Sequence, residues 1–147
     1  MPDIKREGRA VWKGGLKDGS GTTTTQSGFL KDLPYSVPSR FENAKGTNPE
    51  ELIAAAHASC FSMMLSKILG DQGKTAQQIS TTATLTMRMD ASGPKISGIH
   101  LVTQATVPGM DGAAFKKAAD EAKEKCPIST LLRPGLESLT LDAKLSG

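Results

Sequence analysis

The chain has 147 residues, 37% apolar and 22% charged, which fits one globular domain over residues 1–147 and leaves no room for a second core. Its net charge of +3 is small and its lysines are scattered, so no nucleic acid is expected as a partner. The polar start Met1-Pro2-Asp3-Ile4-Lys5-Arg6 does not read as a secretory signal, and the longest apolar-rich stretch, Leu52 to Leu65, is about fourteen residues where a bilayer span needs roughly twenty. A cytoplasmic chain with no membrane association is therefore expected.

Gly8 to Lys13 alternates loosely around Val11 and Trp12, a polar turn follows at Lys17-Asp18-Gly19-Ser20-Gly21, and Thr22 to Thr25 is a β-branched run. This reads as strand, loop, strand. Lys31 to Gly46 carries Pro34 and Pro38 with little periodicity and reads as an irregular surface loop. A helix from about Pro49 to Gly70 is signalled by Asn48 as cap, Pro49 in the first turn and Glu51 in the capping-box position. Small residues Ala54, Ala55, Ala56, Ala58 and Ser59 line its middle, so a second helix or a subunit partner can approach closely.

Ile79 to Met89 and Ile96 to Val107 read as two strands paired in a hairpin through Asp90–Pro94. Gly112 to Lys125 gathers Ala114, Phe115, Ala118, Ala119 and Ala122 on one face of a second helix; Pro127 interrupts it, and a short helical turn reaches Leu132. Leu136 to Leu145 alternates as one half-buried strand. The order lacks regular βαβ alternation, so the expected class is α+β, with antiparallel β-sheets packed around two main helices.

Two cysteines in a reducing compartment are either ordinary buried small residues or a redox pair. Cys60 falls mid-helix among apolar residues, where a thiol is inert unless a cation stabilises its thiolate. Cys126 precedes Pro127, at the start of a new helical turn whose amides favour negative charge on sulfur. One buried and one terminal thiol without metal-type spacing suit a dithiol that opens and closes a disulfide. His57 lies one turn before Cys60 and is either a base toward it or a polar anchor in the helix packing.

The segment Gly46-Thr47-Asn48-Pro49-Glu50-Glu51-Leu52-Ile53-Ala54-Ala55-Ala56-His57-Ala58-Ser59-Cys60-Phe61-Ser62 closely resembles the signature of the OsmC/Ohr family, the osmotically inducible and organic hydroperoxide resistance proteins. The resemblance runs nearly end to end, through Ala10-Val11-Trp12, Pro34-Tyr35, Val107-Pro108-Gly109-Met110-Asp111 and Lys125-Cys126-Pro127-Ile128-Ser129. Arg40-Phe41-Glu42 and His57 look more like the OsmC branch. The resemblance implies an OsmC-like fold, an intertwined homodimer and a cofactor-free, metal-free thiol peroxidase acting in oxidative or osmotic stress defence. In it, Cys60 attacks the peroxide and becomes a sulfenic acid, and Cys126 condenses with it to a disulfide. It further implies an arginine beside the thiolate and a carboxylate, Glu50, holding that arginine. The OsmC branch supplies the arginine from the loop before the helix, here Arg40; the Ohr branch uses an earlier loop, where this chain has only Lys13 and Lys17.

Guanidinium suits the task because it favours the thiolate without losing its own charge and can hydrogen-bond the departing alkoxide. Glu50 and Cys60 lie ten residues apart on one helix, roughly 15 Å along its axis, and cannot both grip one guanidinium within a chain. A dimer with antiparallel helices and two composite sites is the expected solution. Phe61, Met63, Met64 and Leu65 suggest a greasy pocket, so organic hydroperoxides are expected over hydrogen peroxide, with a dithiol reductant, of lipoyl type by the resemblance. A cysteine-histidine thiol hydrolase and a metal or small-ligand binding module built on His57 and Cys60 are the competing expectations. The first lacks a group to orient His57, and the second supplies too few ligands for a structural zinc.

Overall fold

The Val11-Trp12 segment, the β-branched run Thr22–Thr25 and the segment before Ser36 build three short strands, β1 (Gly8–Lys13), β2 (Ser20–Thr25) and β3 (Leu33–Tyr35), in one antiparallel sheet of order β1-β2-β3. In this computed structural model, which describes residues 1–146, the chain divides into two compact units, Met1–Leu52 and the described residues from Ile53 onward. Gly21 faces Trp12 across the first sheet and lies beneath the Tyr35 ring, where an added Cβ would come within 2.5 Å of the ring carbons. Its missing side chain lets Trp12 and Tyr35 meet, with centroids 5.5 Å apart.

The segment expected to be an irregular loop is ordered. After β3 it forms a short helix, α1 (Val37–Phe41), started by a reciprocal box in which Ser36 Oγ accepts from Ser39 N–H and Ser39 Oγ accepts from Ser36 N–H. Five residues are too few for a helical period to show in the sequence, so the capping serines carry the information. Buried Ser39 also donates to the Thr47 carbonyl at 2.9 Å, Asn48 Nδ2 donates to the Ser39 carbonyl at 3.2 Å, and Thr47 N–H donates to the Pro34 carbonyl at 2.8 Å. Gly46 closes this frame with φ +137°, a region L side chains rarely adopt, and a Cβ there would meet the Pro34 oxygen at 2.8 Å.

Asn48 caps the long helix α2 (Pro49–Asp71), its side-chain oxygen accepting from Glu51 N–H at 2.8 Å. Only this forward half of the expected capping box is made among the described residues; the Glu51 side chain stays exposed. In the second unit α2 contributes Phe61, Leu65, Ile68 and Leu69 to the core. By length and composition alone α2 could cross a bilayer, but those four residues sit in the interior of a folded unit.

Opposite them stands a second sheet of order β4-β5-β6, with β4 (Gln78–Asp90) and β5 (Gly93–Thr106) forming the expected hairpin. Ile99, Leu101 and Ala105 point from β5 into the core, together with Phe115, Ala118, Ala119 and Ala122 of helix α3 (Gly112–Lys125), which packs along β6 (Ser138–Leu145). β6 runs parallel to β5, so this sheet is mixed rather than wholly antiparallel. The physical reason is the crossover: α3, the short helix α4 (Pro127–Leu132) and the 3-10 turn Arg133–Gly135 return the chain to the end where β5 began. Alternation in β6 marks a half-buried strand but carries no direction.

Gly46→Ala should lower the free energy of unfolding by about 1–3 kcal/mol, because the residue is strained and its Cβ meets backbone. Urea denaturation followed by circular dichroism checks this; an unchanged midpoint would mean that the frame relaxes freely.

Candidate active site

Cys126 occupies the bend between two helices. Its N–H donates to the Ala122 carbonyl at 2.9 Å as the end of α3, and its carbonyl accepts from Thr130 N–H at 3.0 Å as the start of α4. Pro127, with no N–H to satisfy, fits the first position of α4. The bend brings the wholly buried Cys126 beside Cys60 of α2, near enough to bear on the Cys60 thiol. The backbone amide of Ile128, on the same bend, also bears on the Cys60 sulfur. Both thiols are free, and Cys60 is half-buried.

Burial pushes the Cys60 thiol above the ordinary cysteine range, and its hydrogen bond to Cys126 reinforces this by stabilising the protonated form; the Ile128 amide acts the other way. No cation is among the causes of the shift. A reactive thiolate here requires positive charge beyond what the second unit places at the sulfur.

His57, three residues before Cys60, is wholly buried. Its Nε2 lies 2.7 Å from the hydroxyl of Ser129, also wholly buried, and its Nδ1 has no partner among the described residues. The ring is therefore engaged with α4, as an anchor in the packing. Burial lowers its pKa, so the imidazole is neutral at physiological pH. Among the described residues no group of three or more His, Cys, Asp or Glu side chains comes together as a metal site.

In the first unit, Arg40 of α1 reaches Glu50 in the first turn of α2. Arg40 Nε donates to Glu50 Oε1 at 2.8 Å and its terminal Nη2 lies 2.7 Å from the same oxygen. The carboxylate is almost fully buried while the guanidinium side chain remains 38% exposed, so the pair presents its positive member. Glu50 Oε2 is buried without a partner. Arg40 also lines an apolar pocket of about 260 Å³ with Trp12, Leu16, Tyr35, Val37 and Phe41. The residues expected to make a greasy pocket do not line this one: Phe61 and Leu65 are wholly buried core, and Met63 is 77% exposed.

The four residues singled out in the sequence thus form two pairs, Cys60 with Cys126 and Arg40 with Glu50. Sequence reasoning missed Ser129 and the Ile128 amide. A signal for Ser129 was present: it follows Cys126 by the three residues that separate His57 from Cys60, which puts each couple on one helix face.

A paired-thiol α+β protein is the class that these features define. The chain belongs to the OsmC-like protein family, whose pattern matches residues 42–138. It is 45% identical over 142 residues to peroxiredoxin OsmC of Escherichia coli, covering 97% of each chain. It is 31% identical over 140 residues to an organic hydroperoxide resistance protein of Xanthomonas axonopodis pv. citri, covering 92% of this chain and 87% of that one. Its fold is similar to the crystal structure of the organic hydroperoxide resistance protein OhrB of Bacillus subtilis, with a TM-score of 0.71, 27% identity, and 92% and 98% of the two chains covered. The OsmC-like fold expected from the resemblance is therefore the fold observed.

Because burial holds the His57 pKa below its unfolded value of about 6.5, the unfolded chain takes up a proton that the folded chain refuses as pH falls through that value. Stability is full above it and is lost on the acid side. Urea midpoints at about pH 7.5 and about pH 5.5 should therefore fall more in wild type than in His57→Asn, which has no imidazole to protonate. Equal losses would mean that His57 titrates alike in both states.

Proposed function

We propose that this chain is a cysteine-based peroxidase that reduces organic hydroperoxides, and hydrogen peroxide more weakly, in oxidative or osmotic stress defence. The observation that carries this reading is the nearness of the Cys60 thiol to the buried Cys126. The names of the relatives, peroxiredoxin OsmC and organic hydroperoxide resistance protein, support it.

In the proposed cycle the Cys60 thiolate attacks the outer peroxide oxygen. The O–O bond breaks, and the alkoxide leaves and takes up a proton to become the alcohol. Cys60, now a sulfenic acid, is attacked by the Cys126 sulfur; an S–S bond forms and the hydroxyl leaves as water. A dithiol reductant, such as a lipoyl-type one, reopens the disulfide by two exchanges and becomes a disulfide itself. A reducing cytoplasm, where such dithiols persist, suits that last step.

The missing positive charge comes from Arg40. Glu50 is bound to Arg40 within the chain and stands about 15 Å along α2 from Cys60, so the Arg40–Glu50 pair serves the Cys60 of a second copy. Support comes from α2 itself, an apolar helix with Ala55, Ala56, Ser59 and Met63 exposed along it. Two such helices packed antiparallel cover that stripe and bring each first turn beside the other's thiol. The apolar pocket beside Arg40 then receives the alkyl part of the substrate, and Arg40 stabilises the departing oxygen.

A cysteine-histidine hydrolase is less well supported, because His57 Nε2 is committed to Ser129.

Cys60→Ser should reduce turnover of an alkyl hydroperoxide to background. Cys126→Ser should permit the first attack and then accumulate sulfinic or sulfonic acid at Cys60, visible by mass spectrometry. Mixing inactive Cys60→Ser and Arg40→Met chains should restore activity, since the mixed dimer keeps one site with both groups. No recovery despite subunit exchange would place both groups in one chain and overturn the composite site.

A further inference from the structure

The peroxidase cycle uses Cys60 and Cys126 but leaves His57 and Ser129 without a role. Both are wholly buried, and their side chains meet at 2.7 Å between α2 and α4. Among the described residues this is the one side-chain hydrogen bond that either group makes, and it leaves the buried His57 Nδ1 without a partner. Burying an imidazole and a hydroxyl against each other is a costly way to fill space that aliphatic side chains would fill without desolvation loss. A polar contact in an apolar interface does something packing cannot: it makes one register much better than its neighbours.

The register is the informative part. His57 precedes Cys60 by three residues on α2, and Ser129 follows Cys126 by three residues on the opposing bend. Moving up one helix by three while moving down the other by three carries the His57–Ser129 contact onto the Cys60–Cys126 contact. Each step is about 4.5 Å of helix rise, on one face of each element. The two pairs are adjacent rungs, and Ile128, whose amide bears on the Cys60 sulfur, lies on the span between them.

We propose that the His57–Ser129 hydrogen bond is a positioning latch that fixes α4 in the register at which the Cys126 sulfur faces Cys60. Its function is to set the rate of disulfide closure and so the competition with over-oxidation. This rests on the peroxidase reading for its purpose, but not for its test. A sulfenic acid at Cys60 has two fates: attack by Cys126, giving the disulfide and water, or attack on a second peroxide, giving sulfinic acid and alcohol. The first is intramolecular and depends on the effective concentration of one sulfur at the other, which falls steeply with small displacements. Neither His57 nor Ser129 touches a reacting atom in this scheme. They are positioning residues.

The test is thiol–disulfide exchange of the reduced full-length protein in mixtures of reduced and oxidised glutathione, which needs no peroxide. Closure balances as two protein thiols plus one glutathione disulfide giving the Cys60–Cys126 disulfide and two glutathione thiols. The ratio of closed protein to Cys60–glutathione mixed disulfide, read by mass spectrometry after acid quench and multiplied by the reduced glutathione concentration, gives the effective concentration of Cys126 at Cys60. Ser129→Ala, which deletes one oxygen, should lower that ratio on the order of tenfold. Ser129→Thr, which keeps the hydroxyl, should return it toward wild type. His57→Leu should lower it as Ser129→Ala does, and in the double variant the two losses should not add.

A Ser129→Ala protein that melts earlier yet closes with the wild-type ratio would reduce the contact to ordinary packing and overturn the latch. So would equal ratios in the alanine and threonine variants. Should organic hydroperoxide leave the wild-type thiols untouched, the peroxidase reading fails by itself, while the glutathione ratios still decide the latch.

Discussion

Everything in the site depends on one juxtaposition, the Cys60 thiol beside the buried Cys126, between the middle of α2 and the bend where α3 becomes α4. Neither element holds it alone. Cys126 is oriented because it ends one helix and starts another, and the adjoining Pro127 gives up no hydrogen bond by standing first in α4. Core side chains Phe61 and Phe115 fix the two supports, α2 and α3, within one apolar interior. The reduced pair stands close together before any oxidant arrives, which favours the disulfide closure of the proposed cycle.

That contact also sets a demand the second unit does not meet. Burial and the S–H bond to Cys126 favour the protonated Cys60, and one backbone amide is the opposing influence. The first unit offers a partly exposed guanidinium, anchored at a single carboxylate oxygen of Glu50. In the proposed dimer that charge serves the thiol of the second copy, and the exposed small-residue stripe of α2 is the surface proposed to join the two.

Sequence alone revealed α3 with its observed bounds, because an alanine-rich face, polar residues opposite and the Cys126-Pro127 break all agree. It revealed α2 to within a residue at its end for similar reasons. It did not reveal α1, whose stability comes from two serines bonding to each other's backbone rather than from periodicity. Nor did it reveal the direction of β6, since a pleated strand alternates identically whichever way it runs. In the site, the cysteines and the Arg40–Glu50 pair were legible through a motif, whereas Ser129 was marked only by its spacing from Cys126: a serine in a six-residue helix looks like solvent-facing filler until the fold buries it against His57.

The most direct test of the account is where the first oxidation event leaves the two sulfurs. Reduced protein treated with one equivalent of an alkyl hydroperoxide, alkylated and digested without reductant, should yield a single joined peptide pair containing Cys60 and Cys126. The undigested chain should keep its monomer mass under denaturing conditions. Two alkylated cysteines after the peroxide is consumed, or a disulfide linking separate chains, would contradict it.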